Sequence, residues 1–354
     1  SFYVDRFPGK ALNFNNKKMA GYFTRQEWTT LLLPSSYKES LPDDYPLEKG
    51  YFGKWRQFPY RLSQLFNQTG NYKVLKTTPY GNAVVNEFAM ALIGSEKLGR
   101  DEVPDLLALS FSSMDYENGS FGPLSVEMED TYLRLDKEIG MLLDFLDKQV
   151  GENRYLVVLT SACSSSYPVG YLKEAFNMPV GYVAPESMVA LLKSFLNISY
   201  GQGDWVVFSS GHQIYLNRPL IEKKGIRLDD IQSRAAGFIN QFEGVRLSVP
   251  AFDFIRVDHV KSQLAMISGS YNLKRSGDVL YTLEEGWQPR YRYRKPDYTD
   301  QMRIPLIWYG PRIKPGKSRV PAEAVDMAPT VFELLGIEPP FSFDGRILVE
   351  ILAD

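Results

Sequence analysis

The sequence has very few of the residues that hold transition metals, and it has no long apolar run. Its 354 residues include only two histidines, His212 and His259, and a single cysteine, Cys163. One cysteine excludes an internal disulfide and a zinc cluster built from thiolates. No stretch of 18 or more apolar residues occurs, so the sequence predicts no membrane-spanning helix. Residues 1–6 lack the apolar core and the cleavage site of a signal peptide.

The composition predicts a folded protein without a nucleic-acid partner. Hydrophobic residues make up 44% of the sequence and aromatic residues 14%, which is enough for a sizeable core. The 40 Lys and Arg residues nearly balance the 42 Asp and Glu residues, so the net charge of −2 favours neither nucleic acid nor an anionic membrane surface. A chain of 354 residues can form one large α/β domain or two smaller ones.

Apolar periodicity predicts alternating strands and helices in the middle of the chain. Residues 105–111 and 155–160 are short apolar runs typical of strands that are buried on both faces. Between them, residues 127–150 carry the apolar stripe of an amphipathic helix. A strand, a helix and a strand with short connections form a βαβ unit, and such units build a mostly parallel sheet. The sequence therefore predicts a layered α/β fold.

Further elements are expected on either side of this unit, from the same periodicity and from the residues that begin and end helices. In chain order they are a helix at 82–98 capped by Asn82, helices at 186–196 and 229–242 around a strand at 205–208, a strand at 304–309 in which Pro305 marks an edge or a start, and a helix at 325–335 ended by Gly336.

Candidate functional residues follow the two predicted strands of the βαβ unit. In open α/β sheets, chemistry collects just beyond the carboxyl ends of parallel strands. Two such ends are present, at residues 112–123 and at residues 160–166. These two stretches are therefore where a catalytic or metal site is expected.

Three other patterns suggest chemistry but are better explained without it. A phosphatase that uses Cys163 as its nucleophile would need an arginine six positions later, where the sequence has Val169, so we interpret Cys163 as a packing residue. Residues 310–318 resemble a phosphate-binding loop, but the glycine spacing is one residue too long and two prolines remove N–H donors. His212 and His259 have no partner at a ligand spacing, and we interpret both as ordinary surface or core residues.

Matches to one known family occur in the correct order along the whole chain. They lie at residues 14–18, 39–44, 78–82, 105–113, 129–136, 213–217, 274–278 and 326–330. On these stretches the chain resembles the alkaline phosphatase superfamily, and specifically the large monomeric, broad-specificity alkaline phosphatases of Bacteroidota envelopes. The resemblance implies an alkaline phosphatase-like layered sandwich with a mostly parallel central sheet and a capping insertion.

The resemblance also implies a domain organisation. It predicts a single alkaline phosphatase-like domain over residues 1–354 that lacks the N-terminal portion of the family pattern. The core is expected at 82–165 and 300–354, and the cap or insert at about 166–299. The first metal-binding Asp, the nucleophile and the phosphate-clamping basic residues of the family would lie upstream of residue 1.

Active members of that family hold two zinc ions on Asp and His ligands, and the metals activate a Thr or Ser nucleophile. At the first strand end the Asp is present as Asp115, but Gly119 replaces the His four residues later. At the second strand end, Ala162 and Cys163 replace an adjacent Asp-His pair, and Lys295 lies where a further His is expected. One ligand of five survives, and a lone carboxylate does not hold zinc tightly. We therefore expect no bound zinc and no catalytic residue among these positions, and Asp115 is expected to cap the following loop.

Two cations occupy the third ligand region. Arg294 and Lys295 stand where the family carries His-Gly-Ser-Pro, within a run from residue 290 in which tyrosines and arginines alternate. One interpretation is a solvated sheet edge. The other is that Arg294 or Lys295 fills the former metal cavity and compensates the charge of Asp115 or of a bound anion.

These observations predict a catalytically inactive pseudo-phosphatase that serves as a structural or protein-binding subunit of the bacterial envelope. From the resemblance, we expect a location in the periplasm or at the outer membrane and a complex with other envelope proteins, with peripheral membrane association left open.

The alternative is an active metal-dependent phosphomonoesterase or phosphodiesterase that uses an upstream nucleophile not present in this chain. Its cation would need unexpected ligands, for example Asp115, Glu117 and Asp297, whose oxygens suit Mg²⁺ or Ca²⁺ better than Zn²⁺. Whether the protein is an enzyme stays open at this point, with the replaced zinc ligands arguing against it.

Overall fold

The structure is a computed structural model, and it describes residues 5–118, 121–161, 167–256, 271–290, 304–338 and 345–353. The chain divides into two compact units. Unit 1 comprises residues 1–163 and 303–354, and unit 2 comprises residues 164–302.

The helices carry the following bounds in chain order: α1 (Gly9–Asn16), α2 (Met19–Phe23), α3 (Leu62–Thr69), α4 (Pro79–Glu96), α5 (Ser113–Asn118), α6 (Val126–Gln149), α7 (Val169–Phe176), α8 (Pro185–Tyr200), α9 (Arg218–Lys223), α10 (Leu228–Ile239), α11 (Asp253–Arg256) and α12 (Met327–Leu335). Short 3-10 turns lie at Pro34–Ser36, Tyr72–Thr77, Ala324–Asp326 and Val349–Ile351. None of the described helices is long and apolar enough to cross a membrane.

The strands are shorter and form small sheets. They are β1 (Glu27–Trp28), β2 (Tyr60–Arg61), β3 (Val157–Thr160), β4 (Tyr182–Val183), β5 (Val206–Ser210), β6 (Gln213–Leu216), β7 (Val245–Pro250), β8 (Val279–Leu283), β9 (Gln288–Pro289) and β10 (Leu306–Tyr309). β1 pairs with β2 and β3 with β10, both antiparallel, while β4 and β9 form a parallel pair. The remaining strands form an antiparallel sheet in the order β5-β6-β8-β7.

Most of the predicted elements are present. The amphipathic stripe at 127–150 forms α6, whose N-terminus is capped by the Ser125 side chain accepting from the Met128 N–H at 3.1 Å. The run at 155–160 forms β3, and 304–309 forms β10, which begins just after Pro305. The three elements predicted between 186 and 242 form α8, β5 and α10.

Two expectations were wrong. Residues 105–111 form no strand, and none of the described strands pairs with them. Asn82 does not cap a helix, because α4 begins three residues earlier, after Thr78, with Pro79 in its first position. Proline is favoured there since its fixed φ suits the first turn and its missing N–H would have no partner anyway.

A buried carboxylate organises unit 1. Asp130 of α6 is fully buried and accepts four hydrogen bonds: from Trp28 Nε1 at 2.7 Å, the Leu31 N–H at 2.6 Å, the Tyr37 hydroxyl at 2.5 Å and Arg134 Nε at 2.6 Å. Burial, followed by the hydrogen bond to Asp130, raises the pKa of Tyr37 to about 12, so the tyrosine stays a donor. These contacts, the Asp130 network, fix residues 28–37 onto α6.

An aromatic core lies beside this network in unit 1. Its buried members come from β1, β2, α3, the turn at Tyr72–Thr77 and two loops, and are Trp28, Tyr51, Tyr60, Leu62, Leu65, Val74, Leu75 and Phe121. The rings of Trp28 and Phe58 meet edge to face with centroids 5.1 Å apart, an arrangement that the ring quadrupoles favour. On the other side of unit 1, α4 packs against α6.

Unit 2 has its own core and its own buried carboxylate. The helices α8 and α10 pack against one another and against the four-stranded sheet, and the buried side chains between them form the core. Asp278 precedes β8 and accepts from the Leu216 N–H at 2.8 Å, from Arg218 Nε at 2.9 Å and from Gln232 Nε2 at 2.8 Å. One carboxylate thus ties β6, α9 and α10 together.

The Asp130 network generates a stability prediction. Asp130→Asn keeps one acceptor oxygen but removes the charge and places an N–H₂ group among donors, so we expect a loss of about 2–4 kcal/mol in the free energy of unfolding. Guanidinium unfolding followed by tryptophan fluorescence measures this loss. Asp136→Asn, at an exposed position of the same helix, is the control and should change stability by less than about 0.5 kcal/mol. Equal effects of the two substitutions would contradict the role given to Asp130.

Candidate functional site

The first predicted strand end carries Asp115 in the first turn of α5, where its side chain is exposed. The start of α5 is tied to α4: the Ser113 N–H donates to Asn82 Oδ1 at 3.2 Å, and Asn82 Nδ2 lies 3.4 Å from Met114 Sδ. The buried Asn82 therefore positions the segment that carries Asp115. A carboxylate in the first turn of a helix is favoured by the partial positive charge there.

Close backbone approach makes this arrangement possible. A Cβ atom on Gly81 would lie 2.7 Å from the Leu75 carbonyl oxygen and 2.7 Å from Ser113 Oγ. Since Cβ atoms do not come within 3.0 Å of backbone atoms, a larger residue at position 81 would push α4 and α5 apart. The glycine in the Thr-Pro-Tyr-Gly-Asn stretch is thus required by the packing behind Asp115.

The second predicted strand end lies at the end of β3. In the β3–β10 ladder, Thr160 is the partner of Leu306. The residues that follow β3 and those that precede β10 therefore leave the same end of this sheet. The positions Gly119, Ala162, Cys163, Arg294 and Lys295 lie outside the described residues, as does His259.

The donor atoms at the five family positions do not fit a zinc site of the family's type. Gly119 and Ala162 have no side-chain donor, and Lys295 carries a cation. Asp115 and Cys163 leave two donors, whereas stable zinc sites use three or four protein ligands. Within the described ranges, no group of three or more His, Cys, Asp or Glu side chains could hold a metal ion. The expectation of no bound zinc stays a prediction.

His212 and residues 310–318, two of the other features noted in the sequence, are ordinary structural features. His212 lies in the two-residue turn between β5 and β6, where its φ of 62° follows a φ of 56° at Gly211, as a tight hairpin turn requires. Its ring packs against Tyr281 with centroids 5.0 Å apart. Residues 310–318 form a loop after β10, as predicted.

Two apolar segments near the predicted strand ends have exposed side chains. Val103 and Leu106 are exposed in residues 103–111, and Ile307 and Tyr309 are exposed on one face of β10. Leu106 is 86% exposed. The valines and the leucine of β3 are only half buried, although apolar runs of this kind are typical of strands covered on both faces. Unpaired apolar strands are surfaces that proteins normally cover.

Two buried carboxyl groups in unit 1 were missed by the sequence reasoning. Glu127 of α6 is fully buried and accepts a hydrogen bond from the Tyr60 hydroxyl, and Glu48 is also buried. Each has one carboxyl oxygen without a hydrogen-bond partner among the described residues. Glu127 resembles an ordinary acid of a helix first turn and Glu48 a loop residue, so the sequence gives no signal of their burial. We call them the buried acid pair.

Burial sets the charge of this pair. Desolvation raises the pKa of Glu127 to about 8, against a smaller lowering by the hydrogen bond from Tyr60. Desolvation, followed by the charges of Glu127 and Asp43, raises the pKa of Glu48 to about 8. Both groups are therefore mainly neutral at pH 7, which lowers the cost of keeping them inside the aromatic core.

The family follows from comparison with known proteins. The family model of the type I phosphodiesterases and nucleotide pyrophosphatases matches residues 11–304. The chain belongs to this family, and its predicted membership of the alkaline phosphatase superfamily is confirmed.

Two relatives and one solved structure match nearly the whole chain. It is 30% identical to the alkaline phosphatase PafA of Elizabethkingia meningoseptica over 359 residues, which is 99% of this chain and 65% of the relative. It is 31% identical to the alkaline phosphatase PhoV of Synechococcus elongatus over 355 residues, or 99% of this chain and 63% of the relative. The chain thus spans slightly less than two thirds of the length of these relatives.

The crystal structure of wild-type PafA superposes on this chain with a TM-score of 0.90 at 29% identity, covering 99% of this chain and 68% of that one. This match confirms the predicted α/β, alkaline phosphatase-like fold.

The prediction of a catalytically inactive subunit was wrong. It inferred loss of activity from a few ligand positions. Two relatives whose alignments cover 99% of this chain are named alkaline phosphatases, and so is the protein in the matching crystal structure. The alternative, an active phosphatase, fits these findings better.

The buried acid pair generates a pH prediction. Because the folded-state pKa of Glu127 is raised from 4.5 to about 8, the folded protein holds a proton that the unfolded chain releases, and the free energy of unfolding falls as the pH rises between these values. Glu127→Gln removes this titration, so its stability should decline less from pH 5 to pH 8 and should exceed that of the unsubstituted protein at about pH 9. Denaturant unfolding at a series of pH values measures the slope, with the exposed Glu39→Gln as control. Identical slopes for all three proteins would contradict the assignment.

Proposed function

We propose that this protein is a phosphate-ester hydrolase, a phosphomonoesterase or phosphodiesterase whose catalytic centre lies beyond the ends of residues 105–111 and β3. The observation that carries the proposal is the match of 99% of the chain to an alkaline phosphatase structure at a TM-score of 0.90. Fold alone does not give function, so the 30% identity to PafA along the same length supports the argument separately.

In this proposal the chemistry does not come from a zinc ion held at the five family ligand positions. Their donors do not fit zinc, and we assign no step to a metal there. Asp115 is the acidic side chain that the described structure places at this end, on a segment fixed through Asn82. The alternative site with oxygen ligands would also use Glu117 and Asp297. The side chain of Glu117 and the whole residue Asp297 lie outside the described part of the chain. An exposed carboxylate here can orient a substrate or accept a proton.

The nucleophile and the groups that hold the phosphate are proposed to come from polypeptide outside residues 1–354. The exposed apolar side chains of residues 103–111 support this proposal, because an extended apolar strand that paired with this segment would cover them. Since residues 105–111 lead directly to Asp115, such a strand would end close to that carboxylate. The same contact would bury Leu106.

The location and partners are proposals as well. We propose the periplasm or the outer-membrane surface, with other envelope proteins as partners, and the family resemblance is the support for both. The near balance of charges gives no reason to expect a nucleic-acid partner.

The proposed activity has a direct test. The protein purified from its native gene should hydrolyse 4-nitrophenyl phosphate or bis(4-nitrophenyl) phosphate, assayed with and without added Zn²⁺, Mg²⁺ or Ca²⁺. Asp115→Asn should lower kcat/KM by at least about tenfold, because a neutral amide cannot replace a carboxylate as base or ligand. Asp136→Asn, at an exposed position on α6, is the matched control. A folded protein that hydrolyses neither ester under any of these conditions would refute the proposal.

The exposed apolar side chains of residues 103–111 give a second test. Leu106→Glu places a charge where a strand is proposed to dock, so we expect kcat/KM for the better of the two esters to fall by about tenfold or more. Ile198→Glu, on α8 of unit 2, is matched because Ile198 is also 86% exposed. Thermal unfolding of both variants checks that the chain itself remains folded. Equal activity of the two variants would argue against a strand at Leu106.

A further inference from the structure

Unit 1 contains a cleft whose walls combine cations with aromatic rings. It has a volume of about 540 Å³, which is the size of a pocket for a small organic molecule. Its lining is contributed by the loop before β2, by β2 itself and by the start of α3, and comprises Asp44, Lys54, Trp55, Arg56, Gln57, Phe58, Pro59, Tyr60, Arg61, Gln64 and Leu65. No residue of the strand-end site lines it.

The charged side chains of this cleft favour an anion. Three of them are cations, Lys54, Arg56 and Arg61, and the single acidic residue in the lining is Asp44. Arg56 is fixed by Asp44, with Nε and Nη2 at 2.8 and 2.7 Å from Oδ1, which leaves other guanidinium donors for a ligand. Arg61 makes a long contact of 3.4 Å with Glu27, and Lys54 forms no ion pair within the described part of the molecule.

The base of the cleft favours a flat apolar group. Tyr60 and Leu65 belong to the buried aromatic core, and Phe58 packs against that core. Trp55 is half buried and lies beside Arg56, so a ring that entered the cleft would meet both an aromatic face and a guanidinium plane. Gln57 and Gln64 add amide donors and acceptors to the walls.

The acids behind the cleft do not cancel its positive charge at neutral pH. The Tyr60 hydroxyl donates to Glu127, and the charge of Arg56 acts on Glu48. Because burial raises the pKa of both acids to about 8, they are mainly uncharged at pH 7.

We propose that this cleft is a binding site for a small organic dianion with a flat apolar part, such as an aryl phosphate or phosphonate. The cations would hold the anionic group, and Trp55 together with the aromatic base would hold the ring. The proposal does not depend on the hydrolytic function, because Asp115 does not line the cleft and binding requires no reaction.

The test uses phenylphosphonate, which cannot be hydrolysed, and measures its affinity by isothermal titration at pH 7 and low salt. Lys54→Gln and Arg61→Gln should each weaken binding by about two- to fivefold, and the double substitution by about tenfold, as expected for partly exposed charge contacts. Lys73→Gln is the matched control, because it removes one exposed cation of unit 1 outside the cleft.

The aromatic contribution has its own comparison. Trp55→Leu should weaken the binding of phenylphosphonate and leave the binding of inorganic phosphate unchanged, and phenylphosphonate should bind at least about threefold more tightly than inorganic phosphate. An affinity of the double variant equal to that of Lys73→Gln would overturn the cleft as an anion site. Equal affinities for the two probes would overturn the part of the proposal that concerns the ring. Because no turnover is measured, failure here is distinguishable from failure of the proposed hydrolysis.

Discussion

The organisation of unit 1 depends on how a single buried carboxylate is satisfied. Asp130 would be too costly to bury as an unpaired charge, but four donors surround it, among them an indole N–H, a tyrosine hydroxyl and a guanidinium. Three of the four donors come from residues 28–37, far away in the sequence, so the network holds this segment against α6. Trp28, one of these donors, also belongs to the aromatic core, and its strand β1 pairs with β2, which lines the cleft. Asp278 does the same for the strands and helices of unit 2.

A second consequence concerns the acids that lack such partners. Glu127 lies three residues before Asp130 on the same helix and is just as buried, yet it receives one hydrogen bond from Tyr60 and keeps one oxygen unpaired. Burial raises its pKa to about 8, whereas Asp130 faces a guanidinium at 2.6 Å. Two buried acids of one helix thus have very different partners. The neutral state of the buried acid pair is also what leaves the neighbouring cationic cleft with its positive charge.

The sequence predicts those elements whose stability is local. The stripe of α6 and the apolar runs of β3 and β10 are recognisable because periodicity and capping residues act over short distances. The strand expected at 105–111 is absent because a strand requires a partner, and none of the described strands pairs with it. The buried acid pair escaped prediction because nothing near Glu48 or Glu127 in the sequence shows that the fold buries both residues or that Tyr60 donates to Glu127. The loss of zinc ligands stays a prediction from the residue types in the sequence, and the inference of inactivity drawn from it was wrong.

We propose that a strand docks on residues 103–111 and completes the catalytic end of this protein. The decisive measurement is hydrogen exchange of the backbone amides of 105–111, followed by mass spectrometry on the protein purified from its native gene. A docked strand would form ladder hydrogen bonds, so we expect these amides to exchange as slowly as those of β3. Exchange as fast as in an exposed loop would contradict the account.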